Sequence, residues 1–173
     1  EKARRLDITE EVYFEIIRRK TASLIAACCA AGAASAGADE ERVELLRSFG
    51  EEMGIAFQIK DDLLDFTPSA VTGKPVGGDI KERKMTLPLI HTLQSLGTIQ
   101  RRLLIRRIKR SSDHPSEAEA VMREILAGPG MAYAKERMRE HRDRAVALLD
   151  HLPEGPAKKS LIELVDFTIS RSK

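Results

Sequence analysis

Glycine and proline punctuation cuts this chain into helix-length pieces and leaves little room for anything else. The heaviest break spans residues 67–79 and carries Pro68, Gly73, Pro75, Gly77 and Gly78. Further breaks are Gly128-Pro129-Gly130 and Pro153-Glu154-Gly155-Pro156. Proline has no N–H to give and glycine has little reason to stay helical, so such clusters stop helices. Between them lie Ala- and Leu-rich segments without the period-two alternation of a strand. The expected class is all-α.

The pieces can be bounded from their caps. Asp7 or Thr9 can open a first helix running to about Ala31, loosened over residues 32–37. Asp39 caps a second, running to about Phe66. Thr86 caps a third, with Pro88 in its first turn, and Gly97 ends it. A short basic helix covers residues 99–110. Ser116 through Glu119 read as a capping box for the next. Helices over residues 131–152 and 157–171 complete the chain. The 173 residues make one domain or part of a larger one, and with 4% aromatic residues and no Trp the core must be aliphatic.

Composition excludes some functions. A net charge of +2 gives no general attraction to nucleic acid or membrane, and no nucleic-acid partner is expected. Cys28 and Cys29, adjacent in an apolar segment, read as small core residues in a reducing, cytoplasmic setting rather than as a disulfide or zinc framework. Residues 21–38 are the longest nearly uncharged run, but Ala and Gly dominate it and it is too weakly hydrophobic for a membrane span. No signal peptide is read. His91, His114, His141 and His151 have no metal-ligand spacing to one another.

The strongest chemical signal lies on the second helix. Gly54, Gln58, Asp61 and Asp65 recur at steps of four, three and four, on one narrow stripe of an otherwise apolar helix. A polar stripe on a buried helix must face something polar. Asp61 and Asp65 lie one turn apart, about 6 Å along the axis, where like charges repel. A cation relieves that repulsion, and Mg²⁺ suits one or two carboxylates with waters and phosphate oxygens completing its shell. Lys20 stands in an apolar helical series with Tyr13, Ile17, Leu24, Ala27 and Ala31. Lys74 follows Gly73, and Lys84 follows Asp79 by a few residues. Carboxylates for a metal and ammonium groups for the remaining phosphate charge are the parts of a magnesium–diphosphate site. The loop is not a P-loop, since neither the Gly-x4-Gly-Lys-Ser/Thr spacing nor a preceding strand is present.

These motifs resemble those of the trans-isoprenyl (polyprenyl) diphosphate synthases. Gly54-x-x-Phe57-Gln58-Ile59-x-Asp61-Asp62-Leu63-x-Asp65 is similar to the family's second aspartate-rich motif. Gly73-Lys74-Pro75, Gly78-Asp79-Ile80 and Lys84-Met85-Thr86-Leu87-Pro88-Leu89 follow in the family's order. Lys20-Thr21-Ala22-x-Leu24 resembles its Lys-Thr element, and Phe167-Thr168-Ile169-x-Arg171 its C-terminus. The resemblance implies a helical bundle of the isoprenoid synthase type and transfer of an allylic diphosphate's prenyl group to isopentenyl diphosphate. It implies Asp61 as a direct magnesium ligand, with Asp62 and Asp65 direct or water-mediated. Lys20, Lys74 and Lys84 would contact the allylic diphosphate, and Lys20, Thr21 and Gln58 would stand at the reacting centre. Homodimers are the implied assembly.

Two departures accompany it. Arg83 stands where many relatives have Gly before the Lys. The family's first aspartate-rich motif and its upstream isopentenyl diphosphate elements are absent. Residues 1–173 are therefore expected to be the C-terminal part of a single polyprenyl synthetase domain, and this piece is expected to elongate no prenyl chain alone. A catalytically silent partner subunit and a class I terpene cyclase are the alternatives. The basic helix over residues 99–110 also allows weak contact with anionic membrane surfaces.

Overall fold

In a computed structural model the described residues are 8–67 and 77–171, and every element among them is helical. The order is α1 (Glu10–Ile17), a π-helical segment (Arg18–Ala22), α2 (Ser23–Ser35), α3 (Glu40–Leu64), α4 (Gly78–Lys81), α5 (Leu87–Ser95), α6 (Thr98–Arg110), α7 (Pro115–Ala127), α8 (Gly130–Leu148), a 3-10 turn (Leu149–His151) and α9 (Pro156–Ser170). The caps explain several boundaries. Asp39 Oδ1 accepts the Arg42 N–H at 2.9 Å and opens α3. Prolines stand in the first turns of α5, α7 and α9, where a missing N–H leaves no bond unmade.

The chain forms two compact units. Of the described residues, the first comprises 8–13, 61–67 and 77–135. Leu87, Leu89, Ile90 and Leu93 of α5, Leu104 and Ile108 of α6, and Val121 and Ile125 of α7 are all buried there. Steps of four put the α6 and α7 pairs on one face of each helix, whereas α5 is buried on nearly every side, Pro88 and Thr92 included. The second unit comprises Phe14–Lys60 and Glu136–Arg171. Its core gathers Phe49 and Met53 of α3, Ala145 of α8, Leu149 of the 3-10 turn and Val165 of α9. As composition requires, Phe49 is the one aromatic ring in that set.

Several sequence expectations need correction. The first helix does not slacken at Ala31 but runs to Ser35, because alanines around Gly32 sustain it. The buried series along it is Tyr13, Ile17, Ala22, Ala26, Ala30 and Ala33. The five-residue step from Ile17 to Ala22 is the π turn, which inserts one residue and shifts the inward face. Lys20 and Leu24, expected on that face, are therefore exposed, as are Ala27 and Ala31. Cys28 is exposed and Cys29 half-buried, so they are not core residues as a pair. Ser116 sits inside the first turn of α7, whose N-cap is His114, so no capping box forms there. Gly78 and Asp79 begin a short helix where only loop was expected. Lys74 and the rest of residues 68–76 lie outside the described residues.

Candidate functional site

In the first unit, the last turn of α3 places Asp61 and Asp62, and Asp65 follows it directly. The two neighbours differ in environment. Asp61 is half-buried, whereas Asp62 is buried. Asp62 Oδ2 accepts the Tyr13 hydroxyl at 2.8 Å and, over a long 3.4 Å, the Leu87 N–H at the start of α5. Thr86, the N-cap of α5, makes no side-chain cap bond, so the carboxylate of Asp62 serves that end and its partial positive charge. Burial, with Asp62 alongside, pushes the Tyr13 phenol well above its ordinary range and keeps it a donor.

Asp65 is the crowded carboxylate. Its Oδ2 accepts the Asp79 N–H at 3.2 Å. Burial raises its pKa and the Asp79 carboxylate raises it further, against the hydrogen bonds from the backbone of residues 79 and 78. Asp79 in turn binds Lys84, with Oδ1 2.8 Å from Nζ, and Glu82 Oε2 stands 2.8 Å from the same nitrogen. These two partners hold the ammonium well above the usual lysine range. Asp79 and Glu82 thus share one ammonium, that of Lys84, and Asp79 also meets Asp65 through its N–H. Among the described residues no three His, Cys, Asp or Glu side chains converge to hold a metal ion by themselves. Magnesium does not require three. Asp61 and Asp65, one turn apart, fit its habit of taking one or two carboxylates and filling the rest with other oxygens. A carboxylate whose charge is opposed by burial and by a like neighbour gains most from a cation.

In the second unit, the Thr21 hydroxyl donates to Gln58 Oε1 at 2.8 Å. The bond is possible because α3 approaches the π segment closely. A Cβ on Gly54 would lie 2.6 Å from the Ala22 Cα, and one on Gly50 2.8 Å from the Ala26 Cα. Gly54, read from sequence as part of the polar stripe, therefore faces backbone. Lys20 extends from the same π segment and is exposed. The Arg171 guanidinium lies 4.3 Å above the Phe57 ring, tying the end of α9 to the turn that carries Gln58.

Sequence reasoning gave Asp79 and Tyr13 no role, although both touch the predicted carboxylates. The signal for Asp79 was an acid between Gly78 and Ile80, five residues ahead of Lys84. Nothing local to Tyr13 points to Asp62, forty-nine residues away in the chain.

Fold and site together define an all-α protein whose longest helix ends in paired carboxylates with a lysine-bearing turn folded against them. Comparison with known proteins sharpens the class. The polyprenyl synthetase family model matches residues 1–125. The chain is 34% identical over 168 residues to an octaprenyl diphosphate synthase of Escherichia coli, covering 96% of this chain and 52% of that protein. It is 40% identical over 169 residues to a short chain isoprenyl diphosphate synthase of Methanothermobacter thermautotrophicus, covering 96% of this chain and 51% of that one. A crystal structure of polyprenyl synthase from Caulobacter crescentus, complexed with calcium and isoprenyl diphosphate, superposes with a TM-score of 0.89 at 34% identity over 97% of this chain and 52% of its own. The chain belongs to the polyprenyl synthetase family. It spans about half the length of these relatives.

Proposed function

We propose that the protein carrying this chain is a prenyltransferase of isoprenoid biosynthesis, which joins an allylic diphosphate to isopentenyl diphosphate to make a polyprenyl diphosphate. On this reading the chain is the C-terminal part of a single synthetase domain. In the reaction the allylic C–O bond breaks and the diphosphate leaves with its electron pair. The double bond of isopentenyl diphosphate then attacks the resulting carbocation, and loss of a proton completes the longer chain. The observation that carries the reading is the Asp65–Asp79–Lys84 arrangement beside Asp61: carboxylates suited to a cation, with an ammonium placed among them.

Asp61 and Asp65 would hold magnesium, and Asp62, engaged by Tyr13, would fix the helix end or reach the ion through water. Bound there, magnesium supplies charge that steadies the departing diphosphate. Lys84, Lys20 and Lys74 would meet the diphosphate oxygens. Lys84 can exchange Asp79 and Glu82 for phosphate because it is half exposed. The Thr21 proton is committed to Gln58, which leaves the hydroxyl's lone pairs to face an electron-poor carbon. Thr21 and Gln58 would thus line the reacting centre beside Lys20.

Homodimers and a reducing cytoplasmic setting complete the proposal. Among the described residues no helix is long and apolar enough to cross a membrane. On α6 Leu104 and Ile108 pack inward while Ile99 and Leu103 stay exposed, which supports at most a weak membrane-surface contact. The test uses the full-length protein with labelled isopentenyl diphosphate, an allylic diphosphate and Mg²⁺. Asp61→Asn and Lys84→Ala are each expected to lower kcat/KM by about a hundredfold or more. Turnover equal to wild type in Asp61→Asn would remove the metal assignment, and absence of any elongated product would remove the reaction.

A further inference from the structure

The turn after α4 closes in a defined pattern. The Lys84 N–H donates to the Asp79 carbonyl at 2.8 Å, and the Arg83 N–H to the Ile80 carbonyl at 3.0 Å. These are the paired bonds of a Schellman motif, whose closing residue takes the left-handed conformation and is usually glycine. Here that residue is Arg83, with φ 56°, and among the described residues no other non-glycine has positive φ. A side chain in that region is strained, so something must hold it there.

The guanidinium does so. Its Nη2 donates to the Lys109 carbonyl at 2.7 Å and to Ser112 Oγ at 2.9 Å, at the C-terminal end of α6. A cation is favoured at that end of a helix. The buried Ser111 hydroxyl lies 3.2 Å from the Ile80 carbonyl, joining the same helix end to the inner side of α4. The turn is therefore fastened to α6 from both sides. The next residue out of it is Lys84, whose Nζ meets Asp79, and the N–H of Asp79 meets Asp65. Where glycine would give a free turn, this chain has a tethered one.

We propose that Arg83 is a positioning residue: its tether to the end of α6 fixes the turn that presents Lys84 to the diphosphate. The inference rests on the reading of Lys84 as a diphosphate ligand, and the experiment separates the two. Amide hydrogen exchange is measured by NMR on the full-length protein as wild type, Arg83→Ala and Arg83→Gly, with the α8 amides as a control for global unfolding. The Lys84 amide is expected to exchange about tenfold faster in Arg83→Ala and less so in Arg83→Gly, since glycine takes the left-handed turn without strain. Unchanged Lys84 exchange in Arg83→Ala overturns the tether.

Calorimetric titration of the full-length protein with magnesium pyrophosphate then compares wild type, Arg83→Ala, Lys84→Ala and the double variant. Arg83→Ala is expected to weaken binding about threefold to tenfold, and to add nothing once Lys84 is gone. Additive losses, or an Arg83→Ala variant that binds as wild type while Lys84→Ala does not, overturn the positioning role. A Lys84→Ala variant that binds as wild type, or wild type that does not bind, removes the diphosphate reading of Lys84 and Arg83's part in it. The exchange result would then stand alone as a statement about the turn.

Discussion

Gly54 and Tyr13 are where single residues decide the most. Gly54 lets α3 press against the backbone at Ala22, and the Thr21–Gln58 hydrogen bond depends on that approach. Gly54→Ala must push backbone rather than a flexible side chain, and is expected to cost about 1–3 kcal/mol in urea unfolding and to break the Thr21–Gln58 bond. An unchanged midpoint would mean that the helices part without cost. Tyr13 gives the buried Asp62 its short hydrogen bond. Tyr13→Phe leaves that carboxylate one donor short and is expected to cost about 2 kcal/mol by the same measurement. Stability equal to wild type would show Asp62 satisfied elsewhere.

At the scale of elements, the π segment makes its own prediction. It adds one residue between Ile17 and Ala22, and the buried alanines beyond it are in phase only because of that addition. Deleting Arg19 would let ordinary α-helical bonding run through while Ile17 and Ala22 still faced inward. Deleting Ala27 would instead turn Ala30 and Ala33 away from the core. The first deletion is expected to be at least ~2 kcal/mol less damaging than the second, by chemical denaturation with circular dichroism. Equal damage would mean that the π segment is not a register device. π turns recur at functional sites, and this one carries Lys20 and Thr21.

For the molecule as a whole, stability should respond to acid through two opposed carboxylates. Burial pushes Glu52 up, but His141, 2.6 Å away, and Arg144 outweigh it and hold the carboxyl below its ordinary range. A lowered folded pKa contributes stability above the unfolded value, which is lost as pH falls through the folded one. Asp65 has the reverse sign. Its raised folded pKa is a cost above that value, relieved as pH falls toward the unfolded value. Glu52→Gln is expected to flatten the acid limb of stability, measured from neutral pH down past the ordinary glutamate pKa of about 4.3. Asp65→Asn is expected to raise stability at neutral pH. Opposite outcomes would reverse the assigned environments. Exposed Leu24, Ile99, Leu103 and Phe167 also lead us to expect association of this chain at rising concentration, seen by size-exclusion chromatography. A monomer at all concentrations would count against it.

Much of this was legible in the residues because it is local. Gly and Pro set most helix boundaries, and Asp39 caps α3 as its side chain predicts. Local periodicity assumes an unbroken α-helix, however, and the π turn breaks that assumption, which is why Lys20 lies outside the face predicted for it, while neighbours such as Cys28 and Cys29 lie about 100° apart on a helix and do not share one face. Ser116 offered the chemistry of a cap one residue too late, since Pro115 already occupies the first helical position. By itself the sequence determined an all-α chain with an acidic, lysine-answered helix end. The tertiary structure alone decided that Asp62 turns inward to Tyr13, that Asp79 joins Asp65, and that Arg83 takes glycine's place by binding α6. Each is a contact between residues distant in the chain, where packing and unsatisfied hydrogen-bonding groups, rather than neighbouring residues, choose the partner.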